Sequence, residues 1–457
     1  MKYYLGHPYA RTVATAIGVD LLAFFLAVSG TWLLAGPPWS LAAFAHCAGL
    51  GALLCLAALA SCEAYEPNTL SSWHKTVRAV LRAMGVAFAV TLFLIGIVHT
   101  RPALTETLAS VGLFYFPLLL VGRLGFRSVA TLLEPGRRVL ILGGSDLGID
   151  VARAIAARPH AGIELVGFLS DDFLPNGIEG FPVLGPMHQL EKVMSMAEVN
   201  TIIVASKQRD DDGFPSDELL HAKVRGVHVE SGVSFYERLT GKVHLRELHP
   251  SHLIFRDGFR TSRIAEHLRR ALDIAMSAVA LTLVSPVLAL CAVAIRVDSK
   301  GPVFYPQARV GKDGRVFRVL KLRTMRVDAE KTTGARFASE RDPRVTRVGR
   351  VLRMTRLDEV PQYWNVLVGE MSVVGPRPER PEFLDTLVSR YPLFRLRLAQ
   401  KPGLTGWAQV RYGYVGDIEE WETKLGLDLY YLKHRSLLLD LLIILQTVKT
   451  VLLFRGI

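Results

Sequence analysis

Arg269–Arg296 reads RRALDIAMSAVALTLVSPVLALCAVAIR. Its folding decides the architecture, because it sets the side of a bilayer on which everything after it lies. The apolar part is long enough to cross a membrane, which takes roughly 20 residues. Two features argue against a crossing. Basic residues stand at both ends, Arg269-Arg270 before and Arg296 and Lys300 after, and such flanks favour the same, cytoplasmic side. Ser285-Pro286 sits in the interior, where proline removes a backbone hydrogen bond and kinks a helix. A neighbouring serine can satisfy the freed carbonyl. The stretch reads as a re-entrant helix that enters one leaflet and returns; a fifth span is the competing reading.

Upstream, residues 1–135 contain four apolar runs, at about Val13–Ala35, Leu41–Ala60, Val80–Val98 and Leu104–Val121. Each is close to the length of a span, and Asp20 is the polar exception. The first run is longer than a signal peptide's apolar region, so it is expected to be retained. Lys2 and Arg11, then Lys75, Arg78 and Arg82, then Arg123, Arg127, Arg137 and Arg138 mark the basic connections. The positive-inside rule puts both ends of this four-helix bundle in the cytoplasm. A buried soluble bundle is the alternative.

Residues 137–250 alternate strand and helix. Arg138–Gly144 (RVLILGG) is an apolar strand running into a glycine turn, followed by a helix over Leu147–Ala157; further strands are expected at Ile163–Leu169 and Thr201–Ala205. This alternation predicts a parallel, doubly wound, Rossmann-like sheet. The turn Gly143–Gly148 approximates a dinucleotide fingerprint, but Ser145 replaces the middle glycine that lets a pyrophosphate approach. Asp171 lies rather far along for the ribose acid. No cofactor-binding residue is therefore assigned there.

Downstream of residue 300 the chain is polar and basic. Phe317–Met325 is read as alternating a basic face (Arg318, Lys321, Arg323) with an apolar one, and Leu425–Phe454 as helices lying in the membrane interface. Between them, Val345–Glu382 sets the acid pair Asp358-Glu359 between a basic arm (Arg347, Arg350, Arg353, Arg356) and the turn Pro376-Arg377-Pro378. Many cations around two carboxylates suit a polyanion held with a metal ion. A solvated basic helix ending in a turn is the plain alternative, and the pair Asp217-Glu218 has no such surroundings.

Composition narrows the class. Of 457 residues, 50% are apolar, and the net charge is +12. Excess Lys and Arg suits nucleic acid, anionic lipid or phosphate-bearing substrates. With no helix-turn-helix, zinc finger or aromatic-rich RNA platform in the sequence, membrane lipid and phosphates are favoured over nucleic acid. Cys47, Cys55, Cys62 and Cys291 form no CxxC pair or disulfide framework, which fits reducing surroundings and no zinc site.

The strings RLDEVPQYWNVLVGEMSVVGPRPE, VLKLRTM (Val319–Met325) and KPGLTGWAQV (Lys401–Val410) resemble the bacterial sugar transferases. More narrowly, they resemble the polyprenyl-phosphate hexose-1-phosphate transferases that start exopolysaccharide and O-antigen assembly. The resemblance is detailed in the C-terminal domain and looser over the whole chain. It implies a multi-domain protein of the bacterial inner membrane with a transmembrane four-helix bundle (1–135) and a Rossmann-like α/β domain (137–250). An α-rich catalytic domain (262–457) follows, facing the cytoplasm and carrying the re-entrant helix 269–296. In that family a Ser-Pro pair such as Ser285-Pro286 turns the helix back. The implied reaction moves hexose-1-phosphate from a UDP-sugar to polyprenyl (undecaprenyl) phosphate and releases UMP.

Asp358 is the expected nucleophile, read as lying at or near a helix N-cap with Pro361 in the first turn, where the helix end keeps it ionised. Glu359 is expected to bind Mg²⁺ with it. Arg353 and Arg377 match family positions that clamp phosphoryl oxygens. Lys321 and Arg323 are expected to add phosphate contacts. Asp342 and Arg344 are further candidates, with salt bridging within the domain as their alternative. A competing class is an NAD-dependent enzyme modifying nucleotide sugars in the middle domain, but that domain lacks the Tyr-x-x-x-Lys pair this chemistry needs. A non-catalytic membrane scaffold leaves the acid pair and its arginines unexplained. The hexose, and whether the chain forms a homo-oligomer, stay open.

Overall fold

A computed structural model describes residues 8–35, 73–98, 114–125, 137–159, 162–171, 177–206, 214–246, 258–259, 262–327, 343–412 and 420–452, with Val111 and scattered positions between 51 and 69. The second expected span (Leu41–Ala60), the start of the fourth, most of the 251–262 linker and Asp342 lie largely or wholly outside them. The chain divides into two compact units, Met1–Leu239 and Thr240–Ile457.

The first unit begins with two long helices, α1 (Pro8–Ala35) and α2 (Trp73–Val98), and a shorter one, α3 (Phe114–Gly125). Ala27, Phe24, Leu59, Val80 and Leu119, drawn from all of these segments, share one apolar core. Asp20 is fully buried there and has two partners. Arg123 Nε donates to Asp20 Oδ1 at 2.8 Å, and the Tyr65 hydroxyl donates to Oδ2 at 2.7 Å. A charge in apolar surroundings persists only when paired in this way.

Next in the same unit come β1 (Arg137–Leu142), α4 (Asp146–Ala156), β2 (Ile163–Leu169), β3 (Val183–Gly185), α5 (Leu190–Ala197), β4 (Thr201–Val204), α6 (Ser216–Val224), β5 (His228–Ser231) and α7 (Gly232–Thr240). The strands form one parallel sheet in the order β3-β2-β1-β4-β5. Successive side chains of a strand face opposite ways. Accordingly Val139 and Ile141 pack against Val151 and Ile155 on one face, while Leu140 and Leu142 pack against Leu190 and Ala222 on the other. Helices cover both faces, so β1 is buried along its apolar run, as a central parallel strand requires. The expected α/β alternation is present, with strand and helix limits within a residue of those read from the sequence. Gly143 has φ +102°, and a Cβ there would lie 2.7 Å from the backbone of Ser206, so only glycine makes this turn.

The second unit opens with α8 (Arg263–Asp298), 36 residues long and the one helix among the described residues long and apolar enough to cross a membrane. An antiparallel hairpin follows, β6 (Phe304–Val310) and β7 (Val316–Leu322), and then α9 (Arg347–Met354) and α10 (Gln362–Val368). After β8 (Ser372–Val374) come α11 (Pro381–Arg390), β9 (Gly403–Thr405), α12 (Trp407–Arg411), α13 (Trp421–Lys433) and α14 (Leu437–Leu452). β8 and β9 pair in parallel.

α8 runs without interruption through Pro286. That proline has no N–H for the carbonyl four residues back, Thr282 O, and Ser285 Oγ donates to this oxygen at 2.8 Å. Both ends of α8 are fastened to the second unit. At the start, Arg269 Nε donates to Asp440 at 2.6 Å, and Asp273 accepts from Ser372 Oγ and from Val373 N. At the finish, Asp298 accepts from Val348 N, and Ile295 packs with Leu322 and Leu352. Between these anchors Val279, Leu283, Leu290 and Val293 are exposed.

The C-terminal segment departs from the interfacial reading in its first half. α13 is buried on nearly all sides, because its charged residues Lys424 and Asp428 have buried partners, Glu379 and Arg397. Only α14 turns large apolar residues outward, among them Leu438, Leu441 and Val448.

Candidate active site

Thr346 starts α9 by accepting from Gly349 N at 2.9 Å. The helix ends at Met354, and Arg356 takes a left-handed conformation (φ 59°, ψ 13°) that swings the chain into a single tight turn, Leu357–Glu359. Asp358 therefore sits in this turn and not at a helix N-cap, contrary to expectation; Pro361 is the residue that caps α10. Pro361 has no N–H to bond Leu357 O four residues back, so Val360 N takes that carbonyl in a three-residue turn.

Glu359 is the hub of the charges. Arg377 Nη2 donates to its Oε1 at 2.6 Å, Lys321 Nζ lies 3.5 Å from the same oxygen, and Arg356 Nη1 lies 3.7 Å from Oε2. Burial opposes ionisation of Glu359, but Arg377, Lys321 and Arg356 outweigh it and hold the carboxyl well below the usual range. Asp358 differs. Burial, joined by the neighbouring Glu359 charge, pushes its carboxyl upward, although Lys321, Arg353 and Arg356 act against this. Helix-end stabilisation does not govern it. Its Oδ1 is buried without a hydrogen-bond partner, which is uncommon for a buried carboxylate. Burial also pushes the Lys321 ammonium down to about 8, with Arg377 and Arg309 adding to this and Glu359 opposing it.

Asn365 ties α10, the helix that follows this turn, to the hairpin. Its Oδ1 accepts from Leu320 N at 3.0 Å, and its Nδ2 donates to Arg318 O at 2.8 Å and to Glu370. Lys321 is thereby held over Glu359. The sequence reading passed over Asn365; its signal is a lone amide inside the apolar run YWNVLV.

The remaining candidates divide. Arg353 borders the pair, with its Nε bonded to Thr324 Oγ1 at 2.9 Å. Arg323 is committed elsewhere, since its two terminal nitrogens donate to Lys300 O and Ser299 O at the end of α8. Arg318 is exposed on the opposite pleat from Lys321, because an odd spacing along a strand changes face. Arg344 stands at the foot of α9, where its carbonyl accepts from Arg326 N.

Two adjacent carboxylates, one with an oxygen lacking any partner, are hard donors that suit Mg²⁺. Among the described residues no three metal-binding side chains gather. A magnesium ion here would complete its shell from substrate phosphate and water, as it commonly does. In the middle domain the glycine turn is filled by its own chain. Ser145 Oγ donates to Ala205 O and accepts from Gly148 N, and Asp171 accepts from Met187 N at 2.9 Å.

A buried carboxylate pair ringed by arginines and a lysine lies in the same unit as α8, a helix long and apolar enough to cross a membrane. The bacterial sugar transferase family model matches residues 264–454, and a CoA-binding domain model matches residues 60–212. The UDP-N-acetylgalactosamine-undecaprenyl-phosphate N-acetylgalactosaminephosphotransferase of Aeromonas hydrophila is 40% identical over 251 residues, 54% of this chain and 58% of that protein. The UDP-glucose:undecaprenyl-phosphate glucose-1-phosphate transferase of Escherichia coli (strain K12) is 32% identical over 318 residues, 68% of this chain and 67% of that one. A protein of the same description in Caulobacter vibrioides is 42% identical over 216 residues, 46% of this chain and 80% of that one. The chain belongs to the bacterial sugar transferase family.

Proposed function

We propose that this protein transfers a sugar-1-phosphate from a UDP-sugar to undecaprenyl phosphate through a covalent intermediate on Asp358. The observation that carries the reading is the contrast within the acid pair: Glu359 is held ionised by three cations, while Asp358 is buried beside it with a free oxygen. Asp358 attacks the phosphorus that bears the sugar; the bond from that phosphorus to the UMP oxygen breaks, and UMP leaves with the electron pair. A phosphate oxygen of the lipid then attacks the same phosphorus and displaces the carboxylate. Two displacements let a soluble and a lipid substrate use one site in turn. One phosphoanhydride replaces another, so no further energy source is needed.

Arg377, Lys321 and Arg356 exchange Glu359 for substrate oxygens in part, and Arg353 adds a fourth cation; planar guanidinium forks suit phosphoryl oxygens. Asp358 and Glu359 would hold Mg²⁺, which when bound neutralises the diphosphate and eases departure of UMP.

Residues 1–135 are proposed as a four-helix transmembrane bundle, 137–250 as the Rossmann-like domain and 262–457 as the cytoplasmic catalytic domain. α8 is proposed to be re-entrant, turning near Ser285-Pro286. The attachment of both its ends to one unit supports this reading. The NAD-dependent alternative gains no support from a glycine turn filled by Ser145.

The test is UMP release by purified membranes supplied with undecaprenyl phosphate, Mg²⁺ and a panel of UDP-sugars. One sugar should support turnover, Asp358→Asn should abolish it, and a labelled sugar phosphate should be trapped on the wild-type chain alone. Near-normal turnover by Asp358→Asn would end the assignment.

A further inference from the structure

All four carbonyls of the turn Pro376–Glu379 are taken by donors from other parts of the second unit. Pro376 O accepts from Gly403 N at 2.9 Å, and Glu379 O from Val310 N at 2.8 Å. Arg377 O accepts from Arg397 Nη2, and Pro378 O from Arg309 Nη1, both at 3.0 Å. Two of the four residues are prolines with no N–H, so the turn is held largely by its oxygens. Two of its donors are therefore arginine side chains.

Arg397 is the more deeply placed. It is 4% exposed, its Nε lies 2.8 Å from Asp428 Oδ2, and its guanidinium lies 4.6 Å from the Phe394 ring centre and 5.4 Å from that of Trp421. The contact with Asp428 is a buried ion pair. A buried ion pair is a poor device for stability alone, because apolar residues of similar volume often do as well or better. What an apolar residue could not supply is a rigid donor to the carbonyl of the residue whose side chain meets Glu359.

We propose that Arg397, fixed by Asp428 and two ring faces, is a positioning residue that holds the Arg377 backbone so that its guanidinium meets the transferring phosphoryl group. This rests on the reading of Asp358, Glu359 and Arg377 as the transfer site. Arg397 acts through the backbone of Arg377, setting where that side chain begins. A displacement of about 1 Å at such a clamp can lower a rate roughly a hundredfold.

The full-length protein is tested as two variants. Arg397→Lys keeps a charge beside Asp428 but loses the planar fork. Arg397→Met combined with Asp428→Leu removes both charges, so no uncompensated ion stays buried. The expected result is a folded double variant whose kcat falls about tenfold or more while KM for the UDP-sugar changes less than about threefold. Amide exchange at Arg377 and Glu379, read by mass spectrometry, should quicken about tenfold in the same variant. If the pair is only structural, the double variant recovers wild-type turnover and exchange, and the proposal is overturned. Should the double variant not fold, Arg397→Lys decides by the same two readouts. Should the wild-type protein turn over no UDP-sugar, the functional reading fails, and unchanged exchange at Arg377 would independently overturn the positioning role.

Discussion

Asp358 and Glu359 are adjacent and chemically alike, yet their surroundings drive them apart. Three cations meet Glu359, while Asp358 keeps an unpartnered Oδ1. Such a split is how one site obtains two roles from two carboxylates. It leads to a prediction about the metal. Removing Mg²⁺ with EDTA should stop UMP release, and adding it back should restore it. In Glu359→Gln the Mg²⁺ needed for half-maximal rate should rise about tenfold, equivalent to ~1.4 kcal/mol. A rate that is insensitive to EDTA would remove the metal from the mechanism.

Among the elements, the glycine turn before α4 serves the fold of the middle domain. Ser145 caps the helix and bridges to the end of β4. Ser145→Ala should lower the stability of this domain by about 1 kcal/mol, the usual cost of a lost N-cap. Ser145→Gly should leave a gentler deficit and, although it restores the dinucleotide fingerprint, create no NAD site. Thermal unfolding with and without NAD checks both statements, and a melting point of Ser145→Gly that rises with NAD would contradict the second. The fingerprint was legible as a pattern, but its content depended on Ala205, 60 residues away, which no local reading reaches.

At the scale of the whole chain, the re-entrant course proposed for α8 puts both of its ends on one side of a membrane. Arg269 is buried against Asp440, so probes belong on exposed neighbours, His267 and Lys300. In a chain with its native cysteines replaced, His267→Cys and Lys300→Cys should both react with an impermeant thiol reagent from the cytoplasmic side. Pro286→Ala, by restoring the helical bond to Thr282 O, should straighten the helix and lower activity more than stability. Reaction at position 300 from the outer side alone would make α8 a span and defeat the cytoplasmic site.

Local chemistry made much of this protein readable in advance. The continuous apolar runs of β1 and β4, the glycine turn and the Ser-Pro pair depend on neighbours within a few residues, and the structure has the strands, the turn and the serine bond to Thr282 O where the sequence implies them. The motif around Asp358 was likewise visible as a string. Partners distant in the chain were not. Nothing near Asp20 announces Arg123, 103 residues on, and nothing near Arg323 indicates that it would close the end of α8. The segment from Leu425 reads as interfacial until Glu379 and Arg397 are seen to pair with Lys424 and Asp428 of α13 in the core. The upward push on Asp358 likewise comes from burial, which is a property of the packed unit. Sequence fixes residue types and their local spacing; the environment that decides whether a charge is solvated, paired or left open exists only once distant segments pack together.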